Sequence, residues 1–183
     1  QNGHFSIIGK SADDYPQLNI QVEGMNTLTM SAETLFNGIN RSLFATGDDE
    51  IRPIFNGIFF DLQPDALTFV ATDSRKLVRC KNFNVKGEQT ASFILPKKPA
   101  NLLKNMLPKE SGDITLHFND RNAQITMESS KLICRLIEGR YPNYNSVIPQ
   151  NNPFRATIDR LTMLSALKRV LIFSNQSLNC ILI

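Results

Sequence analysis

The sequence contains few histidines and cysteines, and these few form no pattern that would hold a metal. His4 and His117 lie far apart in strand-like stretches. Cys80, Cys134 and Cys180 are also widely separated, lack CxxC spacing and are odd in number. This usage is typical of reduced thiols in a cytoplasmic protein rather than of a disulfide framework or a metal centre. We therefore expect no metal and no cofactor.

Long apolar runs are also missing. The longest, such as Ile54–Phe60, fall far short of the roughly 20 residues that a membrane-spanning helix needs. The chain begins Gln1-Asn2-Gly3-His4, without a Met, a basic stretch or an apolar signal core. These features predict that the chain has no membrane partner and that it is a piece of a longer protein.

Sequence motifs of common enzyme classes are absent as well. The chain has no GxSxG, no HExxH and no phosphate-binding glycine loop. Asp73 is the only acid in a motif-like turn, where it is better interpreted as a turn former. We therefore predict a protein without a catalytic residue. Convergence of the histidines and cysteines in one pocket would argue for an enzyme instead.

The residues that are present indicate soluble globular domains, because 42% are hydrophobic and 20% are charged. Turn residues at Gln63-Pro64-Asp65 and Asn119–Asn122 separate apolar–polar alternations, which favours antiparallel neighbours. The alternation predicts strands at about 26–30, 54–63, 66–72, 76–85, 89–95, 113–119, 122–129 and 131–137.

Three segments switch to a helical period, and each has a recognisable start. Ser31 caps the first and Asp159 the third, while Pro99 suits the first turn of a helix over about 98–107 that ends at Pro108. The predicted buried faces are Leu35, Phe36, Ile39, Leu43 and Phe44; Leu102, Leu103, Met106 and Leu107; and Met163, Leu164, Leu167, Val170 and Leu171.

The first and third helices are similar at a constant offset of 128 residues, from Ser31 to Asp159, and a Tyr-Pro pair precedes each copy. This internal repeat predicts one complete domain with parts of its neighbours. Within that domain a strand, a helix and three strands occur twice, over about 26–85 and 89–137, which predicts an α+β fold. The chain stops near 180–183, within the next copy's second strand, so we expect residues after 150 to lack a core.

Lysine and arginine dominate the polar faces of the three helices, whereas the rest of the chain is slightly acidic. The asymmetry favours a polyanion that faces the helices, with contacts that are sequence-independent and salt-sensitive. The alternative remains open that these side chains are only good exposed helix formers.

Four ordered motifs give the chain a family resemblance. They are Arg52-Pro53-Ile54-Phe55-Asn56-Gly57-Ile58, Val70-Ala71-Thr72-Asp73-Ser74-Arg75-Lys76-Leu77, Leu95-Pro96-Lys97-Lys98 and Glu138-Gly139-Arg140-Tyr141-Pro142-Asn143-Tyr144. In these motifs the sequence resembles the beta subunit of bacterial DNA polymerase III, the sliding clamp.

The resemblance implies a DNA clamp fold with antiparallel sheets outside and helices on the inner face. Residues 1–20 would end the first clamp domain with its linker, 21–148 would be the complete middle domain, and 149–183 would begin a truncated third. The full-length protein would be a homodimeric ring in the cytoplasm, associated with the nucleoid. It would encircle double-stranded DNA and tether the replicative polymerase catalytic subunit, the clamp loader and other clamp-motif proteins.

The resemblance also implies a groove for a peptide of the Gln-Leu-x-Leu-Phe kind. Its residues would be Phe55, Thr72, Ser74, Arg75, Leu77, Pro142, Ser146 and Val147. The apolar members would hold the leucine and aromatic anchors, and Thr72 with the turn backbone would fix polar groups. Ser74 and Arg75 depart from the usual Gly-His pair. The alternative remains open that Phe55 and Leu77 are core residues and that 72–76 is merely a hairpin turn.

The basic helix faces and the resemblance together give a set of residues that would face DNA, of which Lys97 and Lys98 are the safer transfer from the family: Arg41, Lys97, Lys98, Lys104, Lys168 and Arg169. The loop Asp48-Asp49-Glu50 departs from the family, and because acid repels phosphate we assign it no DNA contact. A competing hypothesis is a clamp-like protein-interaction module that never encircles DNA.

Overall fold

The computed structural model describes residues 3–15, 21–174 and 181, and the chain divides into two compact units, Gln1–Tyr144 and Asn145–Ile183. The first unit has the order β1 Asn26–Ser31, α1 Ala32–Ser42, β2 Gly57–Gln63, β3 Ala66–Thr72, β4 Leu77–Asn82, β5 Ala91–Pro96, α2 Lys97–Met106, β6 Asp113–Phe118, β7 Asn122–Thr126 and β8 Lys131–Arg135. The second unit contains α3, Arg160–Leu171. The α+β class and the eight predicted strands are confirmed. Cys180 and most of the strand predicted at 180–183 lie outside the described residues.

The two halves of the first unit exchange their first strands. One antiparallel sheet has the order β1-β6-β7-β8 and the other β4-β3-β2-β5. β1 therefore pairs with the second half, Leu28 opposite Leu116, while β5 pairs with the first half, Leu95 opposite Ile58. Because each half completes the sheet of the other, neither half can form its full sheet alone.

A chain of aromatic rings joins the two sheets in the core. The ring centroids of Phe60 and Phe69 are 4.8 Å apart, and those of Phe60 and Phe93 are 4.4 Å apart. Phe93 on β5 then meets Phe118 on β6 at 4.5 Å. All four side chains are buried, and each such pair adds about 0.5–1.5 kcal/mol beyond the area that it buries.

Helix α1 begins as predicted, since the Ser31 hydroxyl accepts a hydrogen bond from the backbone N–H of Thr34 at 3.2 Å. Leu35 and Ile39 are fully buried. The expectation for Phe44 is wrong, because its side chain is 66% exposed. The α-helix gives way to a 3₁₀ turn at Leu43–Ala45, and the tighter winding rotates this position away from the apolar stripe.

Helix α2 buries a narrower face than its sequence suggests. Ala100, Leu103 and Leu107 are buried, whereas Leu102 is 49% exposed, so its predicted burial is wrong. A residue directly beside a buried position lies about 100° around the helix and falls outside a narrow stripe. The helix passes into a 3₁₀ turn at Leu107–Lys109, where Pro108 prevents α-helical continuation.

Helix α3 has the predicted cap but not the predicted burial. The Asp159 carboxylate accepts a hydrogen bond from the backbone N–H of Thr162 at 2.8 Å. No residue of α3 is buried; Met163 and Leu167 are half-buried, and Leu164, Val170 and Leu171 are 41%, 48% and 50% exposed. An apolar helix face needs an opposing layer, and the described part of the second unit contains no strand.

We predict that Gly38→Ala destabilises the first unit. An added Cβ at Gly38 would lie closer than 3.0 Å to three ring carbons of the buried Phe69. Overpacking of this kind costs about 1–3 kcal/mol, which exceeds the roughly 1 kcal/mol that alanine contributes in helix propensity. Urea denaturation should show a lower free energy of unfolding. Gly112→Ala is the control, because no atom lies within 4 Å of the added group; equal stability of the two variants would contradict the packing argument.

Candidate functional site

The turn between β3 and β4 is held by its own side chains. The Thr72 hydroxyl donates to the carbonyl of Lys76 at 2.7 Å and accepts from the N–H of Ser74 at 3.0 Å. The Asp73 carboxylate pairs with the Lys76 ammonium and accepts from the N–H groups of Arg75 and Lys76, both at 2.9 Å. These interactions, led by the Lys76 side chain, hold the pKa of Asp73 well below its ordinary value. The turn is thus preformed.

Ser74 adopts the left-handed conformation at φ +76°. This region favours glycine, and a residue with a Cβ pays about 1–2 kcal/mol to occupy it. The hydrogen bond from the Ser74 N–H to Thr72 and the ion pair of Asp73 hold the turn in that conformation. The strained serine therefore lies in the exposed turn where the resemblance places partner contacts.

Aromatic side chains cover the outward face of β2. On this strand Ile58, Phe60 and Leu62 point into the core, so the alternate residues point away from it. The Phe59 ring stacks on Tyr141 with 4.5 Å between centroids and 1° between planes. Residues 137–144 after β8, which we call the linker segment, therefore bind the back of the sheet through Tyr141.

The linker segment makes two further contacts with the first unit. The Tyr144 hydroxyl donates to the Asp61 carboxylate at 2.7 Å, and its ring meets Phe59 edge-on at 6.3 Å. Phe55 meets Tyr141 edge-on at 6.1 Å. Phe59 and Asp61 on β2, together with Phe55 two residues before the strand, thus fix both tyrosines and with them the position of Pro142.

The Tyr141 hydroxyl is buried and has no hydrogen-bond partner among the described residues, although it lies near the backbone N–H of Thr72. Burial raises the pKa of Tyr141 to about 12. A buried hydroxyl without a partner costs about 1–3 kcal/mol. This unsatisfied donor lies at the end of β3, beside the Thr72 turn.

The first unit brings several predicted groove residues together. Thr72 and Leu77 are register partners at the end of β3 and the start of β4, where the turn joins the two strands. Phe55 and Thr72 are both buried and both adjoin Tyr141. Exposure is high for Ser74, Arg75 and Pro142 and intermediate for Leu77. The second unit carries Ser146 and Val147 on the 3₁₀ helix Tyr144–Val147, where both are exposed.

Sequence reasoning missed the residues that anchor the linker segment. Phe59 and Asp61 were assigned only to a strand, and Tyr144 only to a motif. The alternation of β2 carried the signal, because an aromatic residue on the face opposite the core requires a cover of its own. Tyr141 and Tyr144, six and nine residues after the end of β8, supply that cover.

The loop before β2 is fixed by Asn56. Its side-chain amide donates to the carbonyl of Asp49 at 2.9 Å, and its side-chain oxygen accepts from the N–H of Asp49 at 2.8 Å. Its backbone carbonyl accepts the N–H of Lys97 at 3.0 Å. One residue therefore joins the acidic loop 48–50 to the start of α2.

The predicted DNA-facing residues of the first unit lie on two helices in mutual contact. Arg41 and Lys98 are exposed, and Lys97 and Lys104 are half-buried. Lys97 forms an ion pair with Asp48 at 2.6 Å. In the second unit Lys168 and Arg169 are exposed in the last turn of α3.

A cleft of the first unit with a volume of about 590 Å³ lies along the other side of the linker segment. Its charged lining residues are Asp120, Arg121, Glu138 and Arg140. Both signs are present in equal number, so the cleft selects no charge. None of the eight predicted groove residues lines it.

Metal and thiol chemistry find little support in the described residues. No group of three or more His, Cys, Asp or Glu side chains in 3–15, 21–174 and 181 is arranged to hold a metal ion. Cys80 and Cys134 are free thiols, and burial raises the pKa of Cys134 to about 11. Within the same residues, no helix has the length and apolar character needed to cross a membrane.

Comparison with known proteins gives consistent results for family and fold. Residues 29–143 match the family described as DNA polymerase III beta subunit, central domain. A beta sliding clamp of Synechococcus elongatus is 31% identical over 184 residues, which cover 98% of this chain and 49% of the relative.

Solved structures agree in fold. The DNA polymerase sliding clamp of Bacillus subtilis superimposes with a TM-score of 0.80 at 23% identity, covering 91% of this chain and 44% of that one. A putative DNA polymerase III beta subunit from Eubacterium rectale gives 0.84 at 20% identity, covering 94% and 47%. The chain spans about half the length of the relatives it matches. By the family match over most of its length, the chain belongs to the DNA polymerase III beta subunit family, the bacterial beta sliding clamps.

Proposed function

We propose that this chain is the central part of a sliding clamp that encircles duplex DNA and raises polymerase processivity without catalysing a reaction. Residues 1–20 would end a first clamp domain, 21–148 would form the middle domain, and 149–183 would begin a third. The observation that carries the proposal is the family match over residues 29–143. The exposed apolar face of α3 supports the third domain, because such a face packs against an opposing layer in a complete domain. The protein would act in the cytoplasm, on the nucleoid.

The inner surface would hold DNA through charge alone. Arg41 and Lys98 are exposed on the polar sides of α1 and α2, and Lys104 is half-buried at the edge of the buried face of α2. In the second unit, Lys168 and Arg169 in the last turn of α3 would also contact phosphate. Lysine and arginine on adjacent helices meet phosphates without reading bases, which suits a protein that moves along DNA.

Partners would bind at the end of β3 and β4. The preformed turn presents the exposed residues Ser74 and Arg75, and beside it Leu77 and Pro142 are apolar, the first half-buried and the second exposed. The unsatisfied hydroxyl of Tyr141 supplies a buried polar group beside Thr72. We infer that a Gln-Leu-x-Leu-Phe peptide of a polymerase, a clamp loader or another clamp-motif protein docks there.

The competing function is a clamp-like interaction module that does not encircle DNA. Asp48-Asp49-Glu50 favours it to a degree, because these acids lie beside the first turn of α2. Topology separates the two hypotheses, since a closed ring slides off free DNA ends whereas a surface-bound module does not.

For the full-length protein, we predict retention on circular DNA and loss from linear DNA with open ends. Salt should affect retention on the circle only modestly, because topology rather than ionic contact holds the ring. The clamp would be loaded on a nicked circle, the circle cut at one site, and both samples passed through a gel-filtration column. Equal retention on cut and uncut DNA would rule out encirclement.

We also predict that Leu77→Ala weakens binding of a Gln-Leu-x-Leu-Phe peptide by about tenfold, since loss of an apolar anchor costs on the order of 1–2 kcal/mol. Peptide affinity would be measured by fluorescence anisotropy. In NMR spectra of the unmodified chain, the peptide should shift the signals of Leu77 and Val147.

Leu102→Ala is the matched control, because Leu102 is an exposed leucine on α2. Both variants should unfold at the same midpoint as the unmodified chain, so that peptide affinity is compared between folded proteins. Equal affinity of the peptide for the two variants would contradict this assignment of the groove. Unchanged NMR signals of Leu77 and Val147 at saturating peptide would contradict it as well.

A further inference from the structure

One of the basic residues assigned to DNA already has an anionic partner. The ammonium of Lys97 lies 2.6 Å from the carboxylate of Asp48. The two residues are 49 positions apart in sequence, so the fold and not local helix geometry brings them together. The Asp48 side chain is 80% exposed and that of Lys97 is 36% exposed, so solvent and any polyanion reach the pair.

The backbone on both sides of Asp48 is held in place. The N–H of Gly47 donates to the carbonyl of Phe55 at 2.8 Å. Asp49 is bound through both its N–H and its carbonyl by the side chain of Asn56. Asp48 therefore lies between two fixed residues, and its carboxylate meets Lys97 from a preorganised loop.

The other two acids of this loop, Asp49 and Glu50, form no ion pair with a lysine of α2 in the described residues. The Asp49 carboxylate accepts from the backbone N–H groups of Ile51 and Arg52 and pairs with the Arg52 guanidinium at 2.9 Å. Glu50 is exposed and forms no ion pair in the described residues. Asp48 alone among the three thus neutralises a cation of the α2 surface.

The start of α2 would otherwise be strongly attractive to phosphate. Its first turn contains Lys97 and Lys98 and no acid, and Pro96 supplies no side-chain cap. The positive end of a helix dipole and two ammonium groups act in the same direction. An exposed ion pair adds little to folding stability, so the main effect of Asp48 falls on the charge that this surface presents.

We propose that Asp48 masks Lys97 and so determines how tightly, and with what salt dependence, the α2 surface holds the DNA backbone. Phosphate must displace the Asp48 carboxylate to reach Lys97, so the intact pair weakens a contact that a sliding protein must repeatedly break. The proposal rests on the proposed DNA contact of α2 and adds to it a residue of opposite charge that limits that contact.

The test is a set of variants of the full 183-residue chain binding a short labelled duplex, measured by fluorescence anisotropy at several low salt concentrations. Asp48→Asn should raise affinity about two- to fivefold, in the range expected for release of one exposed ion pair. It should also steepen the slope of log affinity against log salt by about 0.9, the value for one added phosphate contact. Both gains should disappear in the Asp48→Asn, Lys97→Gln double variant.

Glu50→Gln is the matched control, because it removes the same charge from the same loop without breaking the pair. If it raises affinity and slope as much as Asp48→Asn does, or if the double variant keeps the gain, general charge explains the effect and the masking proposal fails. Thermal unfolding midpoints of all variants should agree, so that affinity is compared between folded proteins.

Failure of the underlying DNA contact has a different signature. In that case no variant binds the duplex, or Lys97→Gln and Lys98→Gln bind it as well as the unmodified chain does. Either result would reject both the DNA contact of α2 and the masking of Lys97 by Asp48. If these lysine variants bind more weakly while Asp48→Asn equals the unmodified chain, the DNA contact stands and only the masking role is rejected.

Discussion

The close approach of Gly57 to β5 is the constraint on which both candidate sites depend. A Cβ at this position would lie 2.5 Å from the carbonyl oxygen of Leu95 and 2.8 Å from a methyl carbon of Ile94. Only glycine allows β2 to begin here in register with β5, opposite Pro96. Pro96 immediately precedes α2, so the same approach places Asn56 where its carbonyl accepts the N–H of Lys97. A side chain at 57 would separate the strand start from the helix start.

From that fixed start, β2 and the residue before it contact three parts of the first unit: the core, the linker segment and the acidic loop. Its inward face supplies Phe60 to the aromatic chain that joins the sheets. Its outward face supplies Phe59 and Asp61 to the tyrosines of the linker segment. Asn56, just before the strand, holds the acidic loop. Core, linker segment and helix start are therefore coupled through one strand, and a shift in its register would move both candidate sites together.

Much of this fold could be predicted from the sequence because it depends on local features such as helix caps and turns. The remainder depends on contacts between residues far apart in the chain, which the sequence pattern does not reveal. Ser31 and Asp159 cap helices as their side-chain chemistry requires. Periodicity states which residues are apolar but not what covers them, which is why the burial of α3 was wrong. The strand exchange is hidden for the same reason, since β1 would alternate identically beside either half. In the site, the Thr72 turn follows from its motif, whereas the partners of Phe59 and Asp61 are more than 80 residues away.

The acidic loop 48–50 shows that the separate predictions for Asp48 and Lys97 omit their interaction with each other. Treated separately, Asp48 repels phosphate and Lys97 attracts it, so the sequence alone predicts that Lys97 faces DNA and that Asp48 does not. The fold places the two charges 2.6 Å apart, and at that distance neither acts on a polyanion independently of the other. The net attraction of the α2 start is then carried mainly by the exposed Lys98 and the helix dipole. Under the proposed function a weakened contact suits a clamp that ring closure would hold on DNA, because processivity would then need no tight local contact.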